Sequence, residues 1–82
     1  MAYYVKGKGA FRGAGDTKRW LRIRDIEKDG NRVAIKFILA GQEKQMSLTY
    51  GTQPYLEFGK GTWPNVKPIS WNDILEEEGY VR

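Results

Sequence analysis

The stretch RVAIKFILAGQEKQMSLTY, residues 32–50, decides the fold. Large apolar side chains recur at Val33, Ile35, Phe37 and Leu39, then at Met46, Leu48 and Tyr50. A period of two is the signature of a half-buried strand. The first run is rich in β-branched and aromatic residues, which suit a pleated surface. A two-residue loop at Gly41-Gln42 pairs Leu39 with Lys44, Phe37 with Met46, Ile35 with Leu48 and Val33 with Tyr50. Nearly every large apolar residue of both strands then shares one face. A one-residue slip would scatter them, so the pattern selects the face. The opposite face pairs Ile38 with Gln45, Lys36 with Ser47 and Ala34 with Thr49.

Upstream, residues 20–26 (WLRIRDI) read as another strand, joined to the first by the turn signal Asp29-Gly30-Asn31. A two-residue loop at Asp29-Gly30 would drive Arg22 and Arg24 into the core. An odd-length loop instead pairs Leu21 with Leu39, Ile23 with Phe37 and Asp25 with Ile35, and it leaves Asp25 at the core edge. Its outer face carries Trp20, Arg22, Arg24 and Ile26, with Arg24 opposite Lys36. Like charges directly opposed are destabilising, and an anionic ligand would relieve that. The plain alternative is that long side chains splay into water at little cost.

Short strands are expected at Tyr3–Val5 and Tyr55–Phe58. Residues 61–69 (GTWPNVKPI) hold too much Gly and Pro for a central strand and read as a loop. A short helix is expected after Ser70. Ser70 is an N-cap with Asp73 at the capping-box position, Trp71, Ile74 and Leu75 form one stripe, and Gly79 is a stop. Glu76, Glu77 and Glu78 crowd the helix end that disfavours negative charge. They read as a solvated acidic end or as a contact with a basic group. The expected class is mainly β: a small five-stranded antiparallel barrel or strongly bent sheet with one short C-terminal helix, in a single domain spanning residues 1–82. A meander with a long Gly-rich first loop and a terminal helical turn resembles small SH3-like or OB-like barrels in outline. Such barrels host many functions.

Eighty-two residues bury one marginal core. The chain has no cysteine and no histidine, which removes disulfides, Cys-based zinc sites and the usual proton-transfer side chain. No apolar run is long enough for a membrane span or a signal peptide, and a cytoplasmic location is expected. The only serines are Ser47 and Ser70, with no histidine to activate either, so catalysis is not expected and no metal or cofactor is implied. The net charge of +4 is uneven: residues 1–36 carry ten Lys/Arg against four Asp/Glu, and residues 37–82 carry four against six. A basic half favours an anionic partner.

Two stretches look alike. Residues 3–11 (YYVKGKGAF) and 55–63 (YLEFGKGTW) both carry Gly-Lys-Gly behind an aromatic run. Each is expected to form a turn presenting a lysine and an aromatic, which suits phosphates and stacked bases. With ten glycines, composition alone also produces such matches. The spacing is neither a Walker A loop nor a dinucleotide fingerprint.

Three functions follow. The first is a nucleic-acid-binding module: Trp20, Phe11 and Trp63 stack on bases, Lys8, Arg12, Arg22, Arg24, Lys36 and Lys60 meet phosphates, and Gln45, Ser47 and Thr49 add hydrogen bonds. The second is a small phage-type inhibitor that binds a host defence or nucleic-acid-processing protein. Its contact would be Trp63, Trp71, Glu76, Glu77 and Glu78, since Trp is a typical anchor. The third is a sequestering binder of a nucleotide or cyclic oligonucleotide, closed by the two Gly-Lys-Gly loops.

Overall fold

A computed structural model describes residues 2–7 and 19–80. It contains β1 (Ala2–Gly7), β2 (Leu21–Asp29), β3 (Arg32–Leu39), β4 (Gln42–Leu48), β5 (Leu56–Thr62), β6 (Asn65–Ile69) and α1 (Trp71–Glu77). The strands form one six-stranded antiparallel sheet in the order β4-β3-β2-β1-β5-β6. The sheet is not closed into a barrel. β4 and β6 remain as edges, and the strand count is six rather than five.

The deciding hairpin forms on the expected faces but two residues out of the expected register. Leu39 faces Gln42, Phe37 faces Lys44, Ile35 faces Met46 and Val33 faces Leu48. The loop is Ala40-Gly41, not Gly41-Gln42. Both residues have positive φ, at 53° and 77°, as the two central residues of a type I′ turn require. Because the shift is an even number of residues, every side chain stays on its face.

The β2–β3 loop is neither of the two weighed from sequence. It has two residues, one position later than Asp29-Gly30. Of the pairings expected for an odd-length loop, Ile23 with Phe37 forms, whereas Asp25 does not meet Ile35. A tight turn at Gly30-Asn31 sets Asp29 against Arg32 and Ile26 against Ile35. A β-bulge between Ile23 and Asp25 then absorbs one residue, so that Ile23 still faces Phe37. An extra residue on one strand switches the alternation beyond it. Ile23 and Ile26 therefore both serve the core, and Asp25 is exposed opposite Lys36. Ile26 does not sit on the outer face, and Arg24 does not oppose Lys36.

Residues 61–69 are not a loop. They end β5, turn through Trp63-Pro64, whose peptide bond is cis, and return as β6. Pro68 is tolerated because β6 is an edge, where a missing N–H leaves no ladder bond unmade. The second Gly-Lys-Gly is likewise strand, inside β5 and paired with β1. A Cβ on Gly59 would lie 2.4 Å from Val66 Cγ1, and one on Gly61 would lie 2.4 Å from the Asn65 carbonyl oxygen. These glycines admit close neighbours rather than form a turn. Of the first copy, Gly7 ends β1, and Lys8 and Gly9 lie outside the described residues.

The helix forms as its caps dictate. The Ser70 hydroxyl accepts from the Asp73 N–H at 3.0 Å. At the other end Tyr80 N–H reaches the Leu75 carbonyl (2.8 Å) and Gly79 N–H the Glu76 carbonyl (3.1 Å). This double bond pattern with Gly79 at φ 80° is a Schellman motif. Trp71, Ile74 and Leu75 are buried against Val5, Ile35, Phe37 and Phe58 in one cluster that also takes Leu48 and Leu56. Trp71 stacks on Phe58, with ring centroids 4.7 Å apart. Its indole N–H donates to the Thr49 carbonyl at 2.8 Å.

The core thus lies between the helix and one face of a curled sheet. β4 and β5 are separated in the order by three strands, about 19 Å at 4.8 Å spacing if flat. Residues 49–55, which link them, include a bonded turn from Leu56 N–H to the Gln53 carbonyl. A turned segment of that length spans a flat sheet only with difficulty. Curling the sheet around the helix shortens the distance and buries Leu48 with Leu56.

Candidate anion-binding face

The face turned away from the helix is built by register. β1 contributes Tyr4 and Lys6, β2 contributes Arg22, and β5 contributes Glu57, Gly59 and Gly61. Tyr4 pairs with both Arg22 and Gly59, Lys6 pairs with Glu57, and Gly61 pairs with Val66. The missing side chains of Gly59 and Gly61 leave a depression. Val66 Cγ1 and Trp20 Cη2 occupy the space above Gly59, so a small apolar saddle of Tyr4, Trp20 and Val66 forms there. Tyr4 is only 6% exposed although it points away from the main core.

Charge surrounds this saddle. Lys6 Nζ stands 4.4 Å from the Trp20 ring centre, a cation–π contact, and 3.6 Å from a Glu57 carboxylate oxygen. Arg22 and Arg24 are exposed and make no ion pair among the described residues. Trp63, at the β5–β6 turn, is 65% exposed, and its backbone N–H donates to the Tyr4 hydroxyl at 3.3 Å. Tyr4 is also the Cα partner of Arg22 on its other side, so Tyr4 lies between β2 and the turn that carries Trp63.

The other expected residues distribute differently. Lys36 is half-buried and stands 3.9 Å from Glu27, a carboxylate on the same pair of strands. That face therefore already holds a carboxylate that answers Lys36. Ser47 is exposed, and its carbonyl lies 3.5 Å from Arg32 Nη1. The Thr49 carbonyl and hydroxyl are both engaged by Gln53, at 3.0 and 3.2 Å. Lys8, Phe11 and Arg12 lie outside the described residues.

Lys60 is on the helix side. Its ammonium donates to Glu77 Oε1 at 2.7 Å, and the Tyr3 hydroxyl donates to the same oxygen at 2.5 Å. The two donors hold the Glu77 carboxyl below its ordinary range, Lys60 foremost. Burial, then the bond to Glu77, pushes the Tyr3 phenol well above its usual value. Glu77 is thus a latch from helix to sheet, and the acidic helix end is answered by the protein's own lysine. Trp71 is buried, whereas Glu76 and Glu78 are exposed.

Sequence reasoning passed over Tyr4 and Lys6. Their alternation with Val5 was visible. Which strands flank β1 was not, so nothing placed them beside Arg22 and Trp20.

On the opposite side of the molecule a groove of about 470 Å³ lies between residues 50–53, β5, β6 and the start of the helix, floored by Leu56, Phe58 and Trp71. Among the described residues no group of three or more His, Cys, Asp or Glu is placed to hold a metal ion. No helix among them is long and apolar enough to cross a membrane. The chain matches no protein-family profile, no curated protein and no solved structure.

Proposed function

We propose that the protein is a non-enzymatic binding module for a single-stranded or backbone-exposed nucleic acid, engaged by the outer face of β1 and β2 and the β5–β6 turn. The observation that carries the reading is that Arg22 and Arg24 are exposed and make no ion pair among the described residues, on a sheet whose β5–β6 turn exposes the Trp63 ring. Exposed arginines with no ion pair among the described residues can meet phosphates. An exposed indole offers a π-face to a base of any identity. Trp20, pinned between Lys6 and Gly59, acts as a wall of the site rather than as a free stacking surface. Lys36 belongs to its periphery, because Glu27 already answers its charge.

Two alternatives lose ground. A nucleotide pocket closed by two Gly-Lys-Gly loops needs Lys60, which is bound to Glu77. An inhibitor surface keeps Trp63, Glu76 and Glu78 but loses Trp71 to the core. The SH3-like or OB-like outline and a cytoplasmic location stay part of the proposal, supported by the curled antiparallel sheet and the cysteine-free chain.

The test is anisotropy of labelled single- and double-stranded oligonucleotides, with tryptophan fluorescence, across a salt series. Binding should weaken with salt. Arg22→Ala and Arg24→Ala should each reduce the log–log salt slope by about 0.7 on a single strand. Trp63→Ala should cost about 1–3 kcal/mol of binding. Lys60→Ala should leave affinity unchanged. Absence of binding at low salt overturns the proposal, and so does a loss on Lys60→Ala that exceeds the loss on Arg22→Ala.

A further inference from the structure

We propose that β4 is a homodimerisation edge, which pairs antiparallel with β4 of a second copy about a twofold axis through Gln45. The inference is independent of the nucleic-acid reading. The sheet has two edges, and they differ. β6 carries Pro68, which has no N–H to offer a further strand. β4 runs from Gln42 to Leu48 without proline or bulge, and Gln42, Glu43, Lys44, Gln45 and Ser47 are all exposed. A continuous uncovered edge is a template for another strand.

The register dictates which groups are free. The type I′ turn makes Leu39 and Gln42 a mutually bonded pair. By alternation Gln42, Lys44, Met46 and Leu48 direct their backbone groups to β3, whereas Glu43, Gln45 and Ser47 direct theirs outward. An antiparallel partner must set outward residues against outward residues. Only a twofold axis at Gln45 uses all three: Glu43 against Ser47, Gln45 against Gln45, and Ser47 against Glu43.

Side chains agree with that alignment. Gln45 against Gln45 matches an amide donor to an amide acceptor. Ser47 can donate to the Glu43 carboxylate of the second copy. Lys44 opposes Met46, so no like charges meet. Arg32 Nη1 already lies 3.5 Å from the Ser47 carbonyl, and its guanidinium therefore stands beside the position taken by Glu43 of the second copy. Arg32 has no ion pair of its own among the described residues. A second copy thus supplies bonds to the outward backbone groups of the edge, sharing the Ser47 carbonyl with Arg32, and a carboxylate to Arg32. The symmetry is isologous, so it stops at two copies.

Sedimentation velocity over a concentration series, together with amide hydrogen exchange, tests this. The expected result is a dimer at high concentration, with concentration-dependent protection of the Glu43, Gln45 and Ser47 amides and none added at Lys44 or Met46. Gln45→Pro removes the central outward N–H, and Gln45→Lys sets two lysines face to face. Both variants should sediment as folded monomers, with the Lys variant partly restored to dimer by salt. A wild-type chain that stays monomeric throughout overturns the proposal. A dimer that survives both variants, or that protects other amides, overturns it as well.

Discussion

At the scale of single residues, the two glycines of β5 show how an absent side chain shapes a face. Gly59 lies under Val66 and Trp20, and Gly61 lies against the backbone of Asn65 with φ at 149°. The obstacle at Gly59 is chiefly the end of a side chain, which can turn aside. The obstacle at Gly61 is a carbonyl that cannot, and its backbone conformation disfavours any Cβ. Gly59→Ala should therefore cost about 1–3 kcal/mol through overpacking. Gly61→Ala should cost more, because about 1–3 kcal/mol of backbone strain is added to the clash. Urea midpoints of the two variants check the order; an equal or reversed ranking would mean that β6 moves away without loss. The sequence displayed both glycines in a repeated Gly-Lys-Gly pattern, and the pattern suggested turns. What distinguishes a turn glycine from a close-approach glycine is the neighbouring strand, and β6 was itself concealed by its prolines.

At the scale of elements, the deciding hairpin carries a mild conflict. Ala40 takes φ 53°, a left-handed conformation that suits glycine or asparagine better than alanine. The register slip that places it there is the one that also leaves Gly41 at φ 77°. Ala40→Asn makes the preferred Asn-Gly type I′ turn. It should stabilise the protein by up to about 1 kcal/mol, seen as a higher Tm. A drop in Tm would point to a different turn. The helix was legible to the residue, because its signals are local: a serine cap, a three-residue apolar stripe and a glycine stop. The β2 bulge was not. Its effect was visible as a contradiction, since either loop length buried a charge or stranded Asp25, but a bulge is settled by what β2 meets on both sides.

At the scale of the whole molecule, one exposed carboxylate ties the helix to the sheet. Glu77 receives both Lys60 and Tyr3, and its pKa is depressed in the folded state. A carboxylate of this kind adds stability at pH values above its unfolded pKa, about 4.3, and the contribution is lost as pH falls through the lower folded value. Glu77→Gln should lower Tm at neutral pH, and the gap to the wild type should close in acid. A gap that persists at low pH would show that packing rather than charge holds the helix. The same latch removes Lys60 from the surface available to ligands, a consequence that follows only when the helix is docked.

The sequence by itself determined the class of the fold, the face each residue of β3 and β4 presents, and both ends of the helix. Each depends on periodicity or capping within a few neighbouring residues. Tertiary structure alone decided that β1 lies between β2 and β5, that β5 and β6 form a Gly-floored hairpin, and that the sheet stays open. It alone set Tyr4 between Arg22 and the turn of the exposed Trp63 while giving Lys60 to Glu77 and Trp71 to the core. Those outcomes depend on which distant strands meet, and strand partnership is set by the burial of one shared core, a quantity that no short window of sequence contains.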